Sequence, residues 1–327
     1  MRPCPSRPEA PPARPAGLDA RVRAGGRALC VGIGGGGDVV GALAAGQLVT
    51  ALGGERLVGG LTWERRPIDP LPGPRRLDEV EEAEPLNVAV ALAGPATHGP
   101  GGFRFCEAHL AGALGERTVL VDPNPGPQAV GEALADAARR LDCGLVVLVD
   151  VGGDVLAHGH EAGLASPLAD AVLLAGAPAI AQAGIDVAAA VFGAGCDGEL
   201  TPDEVMERVA EVAAAGGLLG TWGPTTEGIS ELERAIEAVP TEASAMALRC
   251  ARGATGEATI RQGRRRVSLT PMGGLSFFLD AGVMLDTAAR CAAAVTGAGS
   301  LREANEVLRG MGVRTELDYE AQLSPPA

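Results

Sequence analysis

The feature that most constrains the fold is the run Leu145-Val-Val-Leu-Val149, which is followed directly by Asp150-Val-Gly-Gly-Asp154. A strand with one wet face alternates apolar and polar residues. Five consecutive apolar residues need cover on both faces, which is the situation at the centre of a parallel sheet. Shorter runs of the same kind occur at Arg27–Ile33, Leu57–Thr62, Asn87–Leu92, Thr118–Val121 and Ala188–Gly193. Between them lie segments of helical period: Asp38–Leu52, Gln128–Leu141 with Val130, Leu134 and Ala138 on one face, and a helix capped at Thr201 that runs to about Ala215. Strands alternating with helices predict an α/β chain with a Rossmann-like, doubly wound, mostly parallel sheet and helices on both faces. A small C-terminal part is expected as a hairpin over Arg249–Leu269, with GRRR at its turn, and helices near Met284–Val295 and Leu301–Met311. Ser230 with Glu233 reads as a further capping box, and Pro67–Glu84 as a loop or lid.

Residues 1–24, rich in Pro, Arg and Ala, are expected to be a disordered tail. Residues 25–320 are expected to form a single α/β domain, and residues 321–327 a flexible C-terminus. Hydrophobic residues make up 46% of the chain but aromatics only 2%, so the core must be Ala, Val, Leu and Ile.

All 27 basic residues are arginines. Without lysine, pyridoxal-phosphate and Schiff-base chemistry, the Walker A loop, the kinase fold and serine β-lactamase chemistry are excluded. Any positive charge is a permanently protonated guanidinium, suited to clamping carboxylate or phosphate. The net charge of −14 argues against nucleic-acid partners and anionic membrane surfaces. No apolar stretch is long enough to span a bilayer, and no secretory signal follows the N-terminus. Seven cysteines without a CxxC read as reduced thiols of a cytoplasmic protein. The Ala-rich helices are compatible with a homo-oligomer.

Three segments carry the expected chemistry. The first is Gly32-Ile-Gly34-Gly35-Gly36-Gly37-Asp38, a GxGxxG pattern placed between a strand and a helix. Side-chain-free amides there can approach a phosphate closely, and the helix N-terminus adds partial positive charge. NAD(P) would require an acid at the end of the second strand, for which Glu64 is the candidate, and Asp38 lies awkwardly where a pyrophosphate would sit. The second segment is Asp150 to Asp154, with Gly152 and Gly153 between the acids. Asp38, Asp150 and Asp154 together suit Mg²⁺. The stretch nearly matches the DxGGT phosphate loop of sugar kinases, but Asp154 replaces the threonine. The third is His158-Gly-His160-Glu161, followed by Ser166-Pro167 and Asp170. An HxH pair can ligate a transition metal, although the usual third ligand is missing, and Glu161 is the second candidate acid/base. Arg65 and Arg75 supply cationic forks, and the Gly220–Thr226 loop, through Thr225, is a further candidate contact.

The residues at Gly34–Ala42, WERRPIDPLPGPRRL at 63–77, VDVGGDVLAHGHEAGLASPLADA at 149–171 and LTPMGGLSFFLD at 269–280 resemble the domain-of-unknown-function family 1152 over nearly the whole chain. The resemblance implies a single Rossmann-like unit in which these segments converge, and it supplies no mechanism. The leading expectation is a soluble enzyme acting on a phosphate-bearing small molecule, a nucleotide or a phosphosugar. Its reaction would be carboxylate- and Mg²⁺-assisted hydrolysis, elimination or group transfer. The alternatives are an NAD(P)-dependent oxidoreductase and a non-catalytic nucleotide- or metabolite-binding protein.

Overall fold

The computed structural model describes residues 17–323. Helix α1 (Leu18–Gly25) leads into β1 (Arg27–Gly32), α2 (Asp38–Ala51) and β2 (Glu55–Leu61). An excursion follows through β3 (Glu81–Pro85), β4 (Val90–His98) and α3 (Cys106–Leu114). The chain then returns through β5 (Thr118–Val121), α4 (Pro127–Arg140), β6 (Leu145–Val151), α5 (Pro167–Ala175), α6 (Ala177–Gln182) and β7 (Asp186–Phe192). The last third carries α7 (Pro202–Ala214), β8 (Leu218–Trp222), α8 (Thr226–Ala238), α9 (Ala243–Ala251), the hairpin β9 (Gly256–Ile260) and β10 (Arg265–Leu269), and β11 (Ser276–Asp280). It closes with α10 (Ala281–Asp286), α11 (Arg290–Val295), α12 (Leu301–Gly310) and α13 (Glu316–Leu323).

Among the described residues, nine strands form one sheet in the order β3-β4-β5-β2-β1-β6-β7-β11-β8. The five strands from β5 to β7 are parallel, and β4, β3 and β11 run against their neighbours. The chain winds from β1 outward through β2 to β5, then returns to the other side of β1 to lay down β6 and β7. The order reverses between β1 and β6, and in sheets of this kind the crevice beyond the strand ends at the reversal is where ligands bind.

The apolar run behaves as its composition demands. Leu145, Val147 and Val149 of β6 pack into the core under α2, α8 and α9, while Val146 and Leu148 pack into the core under α4 and α5. β1 divides its side chains in the same way. Helix α2 is buried on nearly every side, and its Gly41 has no alternative: a Cβ there would lie 2.3 Å from Val151 Cγ2.

Several expectations need correction. The disordered tail is wrong for residues 18–24, which lie in α1; residues 1–16 lie outside the described residues. Leu18 and Val22 of α1 enter the core, and Arg21 is buried against Asp280 at 2.6 Å and Asp186 at 3.5 Å. At the other end, residues 321–323 belong to α13, and residues 324–327 lie outside the described residues. The lid expected over Pro67–Glu84 is an anchored segment whose end forms edge strand β3. Arg75 holds it, paired with Asp69 at 2.9 Å and donating to the carbonyls of Pro72 and Gly73. Ser230 lies inside α8 and donates to Thr226 O; the cap is Thr225, whose hydroxyl accepts from Gly228 N. The hairpin forms, but its turn falls at 261–264 and residues 249–251 are the end of α9. No helix among the described residues is long and apolar enough to cross a membrane.

Arg21 ties the first helix to a strand more than 250 residues later. Removing one member of a buried ion pair leaves the other uncompensated, so Arg21→Ala should cost about 3 kcal/mol in urea denaturation. A loss below about 0.5 kcal/mol would show that α1 is an ornament on the sheet.

Candidate functional site

A cavity of about 400 Å³ opens at the strand ends beside the reversal, lined by Gly34–Gly37, Asp38, Glu64, Arg65 and the acids that follow β6 and β7. Asp38 is the first residue of α2, Asp150 is the penultimate residue of β6, and Asp170 is in the first turn of α5. The reversal puts these three elements side by side. One carboxylate oxygen from each lies within 4.8 Å of the other two. Asp154, just after β6, forms a second such group with Asp197 and Glu199 from the loop after β7.

The glycines make this convergence sterically feasible. A Cβ on Gly34 would stand 2.6 Å from Asp38 Oδ2 and 3.1 Å from Asp170 Oδ2. A Cβ on Gly152 would stand 2.3 Å from the Asp197 carboxyl carbon, and the positive φ of 133° there also favours glycine. Gly32 closes against the Asp38 backbone, where a Cβ would meet its carbonyl carbon at 2.4 Å. Gly32, Gly152 and Gly153 therefore serve close approach; they do not line the cavity.

Glu199 is met by the amides of Ala165 and Ser166, the Ser166 hydroxyl and Arg265, but few donors meet the triad. Asp38 Oδ2 accepts from Gly34 N at 3.0 Å and Val151 N at 3.3 Å. Asp150 accepts a long bond from Val155 N at 3.4 Å. Oδ1 of Asp150 and Oδ1 of Asp170 are buried without a hydrogen-bond partner, on residues that are each 1% exposed. Burial raises the pKa values of the five aspartates. Asp38 is pushed up to about 7 and Asp197 to about 8, burial being the largest cause in both. Asp150, Asp154 and Asp170 are held well above the ordinary carboxylate range by burial first and then by neighbouring charge, chiefly Asp38 on Asp150, Asp170 on Asp154, and Asp150 on Asp170. Buried carboxylates without countercharge are expensive. A divalent cation with oxygen ligands would supply that charge.

The other expected site residues divide sharply. Ser166 lines the cavity, and its hydroxyl donates to Glu199 Oε1. Arg65 also lines it but is committed: it donates to Gly34 O at 2.6 Å, lies 4.6 Å over the Trp63 ring, and pairs with Glu316 and Glu320 of α13, both at 3.6 Å. Arg75 stays in its own loop and does not reach the cavity. Glu64 is 1% exposed and accepts from Cys106 N at 2.6 Å, so it is not the free acid that a dinucleotide ribose needs. Glu161 is not placed as an acid/base: its carboxylate accepts from the amides of His158, Gly159 and His160 at 2.8 to 3.0 Å. Burial opposes ionisation there, but the amides win, and its pKa falls below the usual value. His158 contacts Glu211 and Arg208, each at 3.1 Å, and neither His158 nor His160 lines the cavity. Thr225 borders a different pocket, beside Gln47 and Trp222.

Asp170, Asp197 and Glu199 join the site without having been expected as ligands, as do Arg261 in the cavity lining and Arg265 beside Glu199. Asp170 carried a signal, as the one charged residue in a run of apolar ones between Pro167 and Gly176. Asp197 and Glu199 carried a weaker one, as acids in a glycine-rich loop directly after an apolar strand.

The raised pKa values set a pH dependence. Asp38 moves from 3.8 to about 7 and Asp197 from 3.8 to about 8, so the folded chain holds protons that the unfolded chain has released. The stability this gives is complete below about pH 4 and is lost as pH rises through 7 and 8. The metal-free protein should therefore melt at a lower temperature at about pH 8.5 than at about pH 5. Mn²⁺ or Mg²⁺ should raise the melting temperature more at the higher pH, and Asp170→Asn should raise it in the absence of metal while removing the cation's effect. Calorimetric melts across this range check both; a cation effect independent of pH would contradict the reading.

No curated protein and no solved structure matches the chain. The family model described as "Protein of unknown function (DUF1152)" matches residues 29–324, and the chain belongs to that family.

Proposed function

We propose that the chain is a divalent-cation-dependent enzyme acting on a phosphate-bearing small molecule by hydrolysis, elimination or group transfer. Asp38, Asp150 and Asp170 would hold the cation. The glycine loop would receive the phosphate, since the amides of Gly35 and Gly37 have no protein acceptor among the described residues and α2 begins directly behind them. Asp154 would serve as the general acid or base: it lines the same cavity, is 4% exposed, and burial holds its carboxyl well above the usual carboxylate range.

The observation that carries this reading is the pair of orphaned oxygens on Asp150 and Asp170. A structural carboxylate is normally saturated by amides or guanidinium groups, as Glu161 is. Two buried oxygens with no donor beside a third carboxylate fit a cation. Glu64 and Asp38 do not offer the arrangement that NAD(P) would need.

The test pairs binding with turnover. Mn²⁺ titration by electron paramagnetic resonance should show binding to the wild type that Asp150→Asn weakens by at least about tenfold. A panel of nucleotides and sugar phosphates, followed by ³¹P nuclear magnetic resonance, should show a new resonance that chelation removes and Asp154→Asn abolishes. Turnover undiminished by Asp154→Asn, or by exhaustive chelation, would sink the proposal.

A further inference from the structure

The acids account for a cation but leave the phosphate without an obvious charged partner. Seven carboxylates and three arginines line the cavity. Arg65 is committed to α13 and the glycine-loop carbonyl. Arg265, just outside the lining, is paired with Glu199 at 2.8 Å and donates to Asp197 O at 3.1 Å. Arg261 differs from both. The ion pair of its guanidinium is a long one, 3.9 Å from Nε to Glu242.

Arg261 is held over the cavity by an unusual turn. It opens the tip of the β9–β10 hairpin with φ 54°, followed by Gln262 with φ 56°. Two successive non-glycine residues in the left-handed region are uncommon, and such strain persists only where surrounding contacts enforce it. Here the carboxylate of Glu242 accepts from Arg261 N at 3.0 and 3.1 Å. The adjacent Thr241 packs against the glycine loop so tightly that a Cβ on Gly37 would stand 2.3 Å from it, and Ser244 donates to Gly37 O at 3.3 Å. The hairpin tip and the glycine loop are thus tied to one segment, and both line the cavity. Burial and then the charges of Arg265 and Arg65 disfavour the Arg261 cation, a cost that a bound anion would relieve.

We propose that Arg261, which lines the cavity without belonging to the carboxylate triad, is the anchor for a substrate phosphoryl group, and that the ligand class is a metal-chelated diphosphate. This rests on the cation reading above. One end of the ligand must offer oxygens to a cation at Asp38, Asp150 and Asp170. The other must offer oxygens to a guanidinium fork in the same lining, which a diphosphate does and an uncharged ring does not. The volume of about 400 Å³ leaves room for more than a single phosphate.

The experiment uses the full chain, Mn²⁺ and inorganic pyrophosphate, in calorimetric titrations with and without the metal. Arg261→Gln should weaken pyrophosphate binding about 10- to 100-fold while Mn²⁺ still binds. Arg261→Lys, which keeps the charge but not the fork, should fall between that variant and the wild type. Unchanged pyrophosphate affinity in Arg261→Gln overturns the assignment, as does a wild type that binds Mn²⁺ but no pyrophosphate; neither outcome touches the cation reading. Binding by the wild type without Mn²⁺ that Arg261→Gln abolishes supports the anchor and counts against the cation reading.

Discussion

The structure depends on an electrostatic constraint: five aspartates and a glutamate crowd the ends of three adjacent strands, β1, β6 and β7, with little positive charge among them. Each buried carboxylate costs several kcal/mol unless it is paired or protonated. Most of the local architecture can be read as what is needed to hold them there. Helix α2 is buried on nearly every side, so Asp38 has little freedom to retreat into solvent. The glycines at 34 and 152 remove the side chains that would keep the acids apart. Glu316 of α13 caps α5 by accepting from the amides of Leu168 and Ala169, and it holds Arg65 at the rim. The C-terminal helix is thereby tied to the same centre as the first glycine loop.

The same constraint separates functional acids from structural ones. Glu161, Glu316 and Asp122 are buried carboxyls like the cluster members, but each is met by backbone amides: three for Glu161, two for Glu316, and those of Leu77 and Asn124 for Asp122. Their charge is spent on holding loops and helix starts. Asp150 and Asp170 keep an oxygen with no such partner. Stability and chemistry conflict at these positions, as is usual for active sites.

Much of the fold was legible because the strands are continuous apolar runs and the helices carry clear periodicity and caps. The parallel centre, the glycine loop and the acids at 38, 150 and 154 followed from position alone, since strand ends are where such sheets bind ligands. What escaped was distant convergence. Asp197 and Glu199 come from the next strand over, Asp170 from a segment whose other residues are apolar, and Arg261 from a hairpin turn that falls at 261–264, starting ahead of the expected GRRR. Thr225 misled for the opposite reason. Its loop looks like a ligand loop, but antiparallel β11 enters the sheet between β7 and β8 and carries β8 to the far edge. The histidine pair lies apart from the cavity: His158, His160 and Glu161 bring ligand atoms within 4.8 Å of one another, and the Glu161 carboxylate also accepts three backbone amides.

The central claim is that the buried carboxylates are built for a cation. Crystals soaked in Mn²⁺ and measured at the manganese absorption edge test it most directly. The account predicts an anomalous peak at about 2.0–2.3 Å from carboxylate oxygens of Asp38, Asp150 and Asp170. An empty triad, with the metal bound elsewhere or not at all, would contradict it.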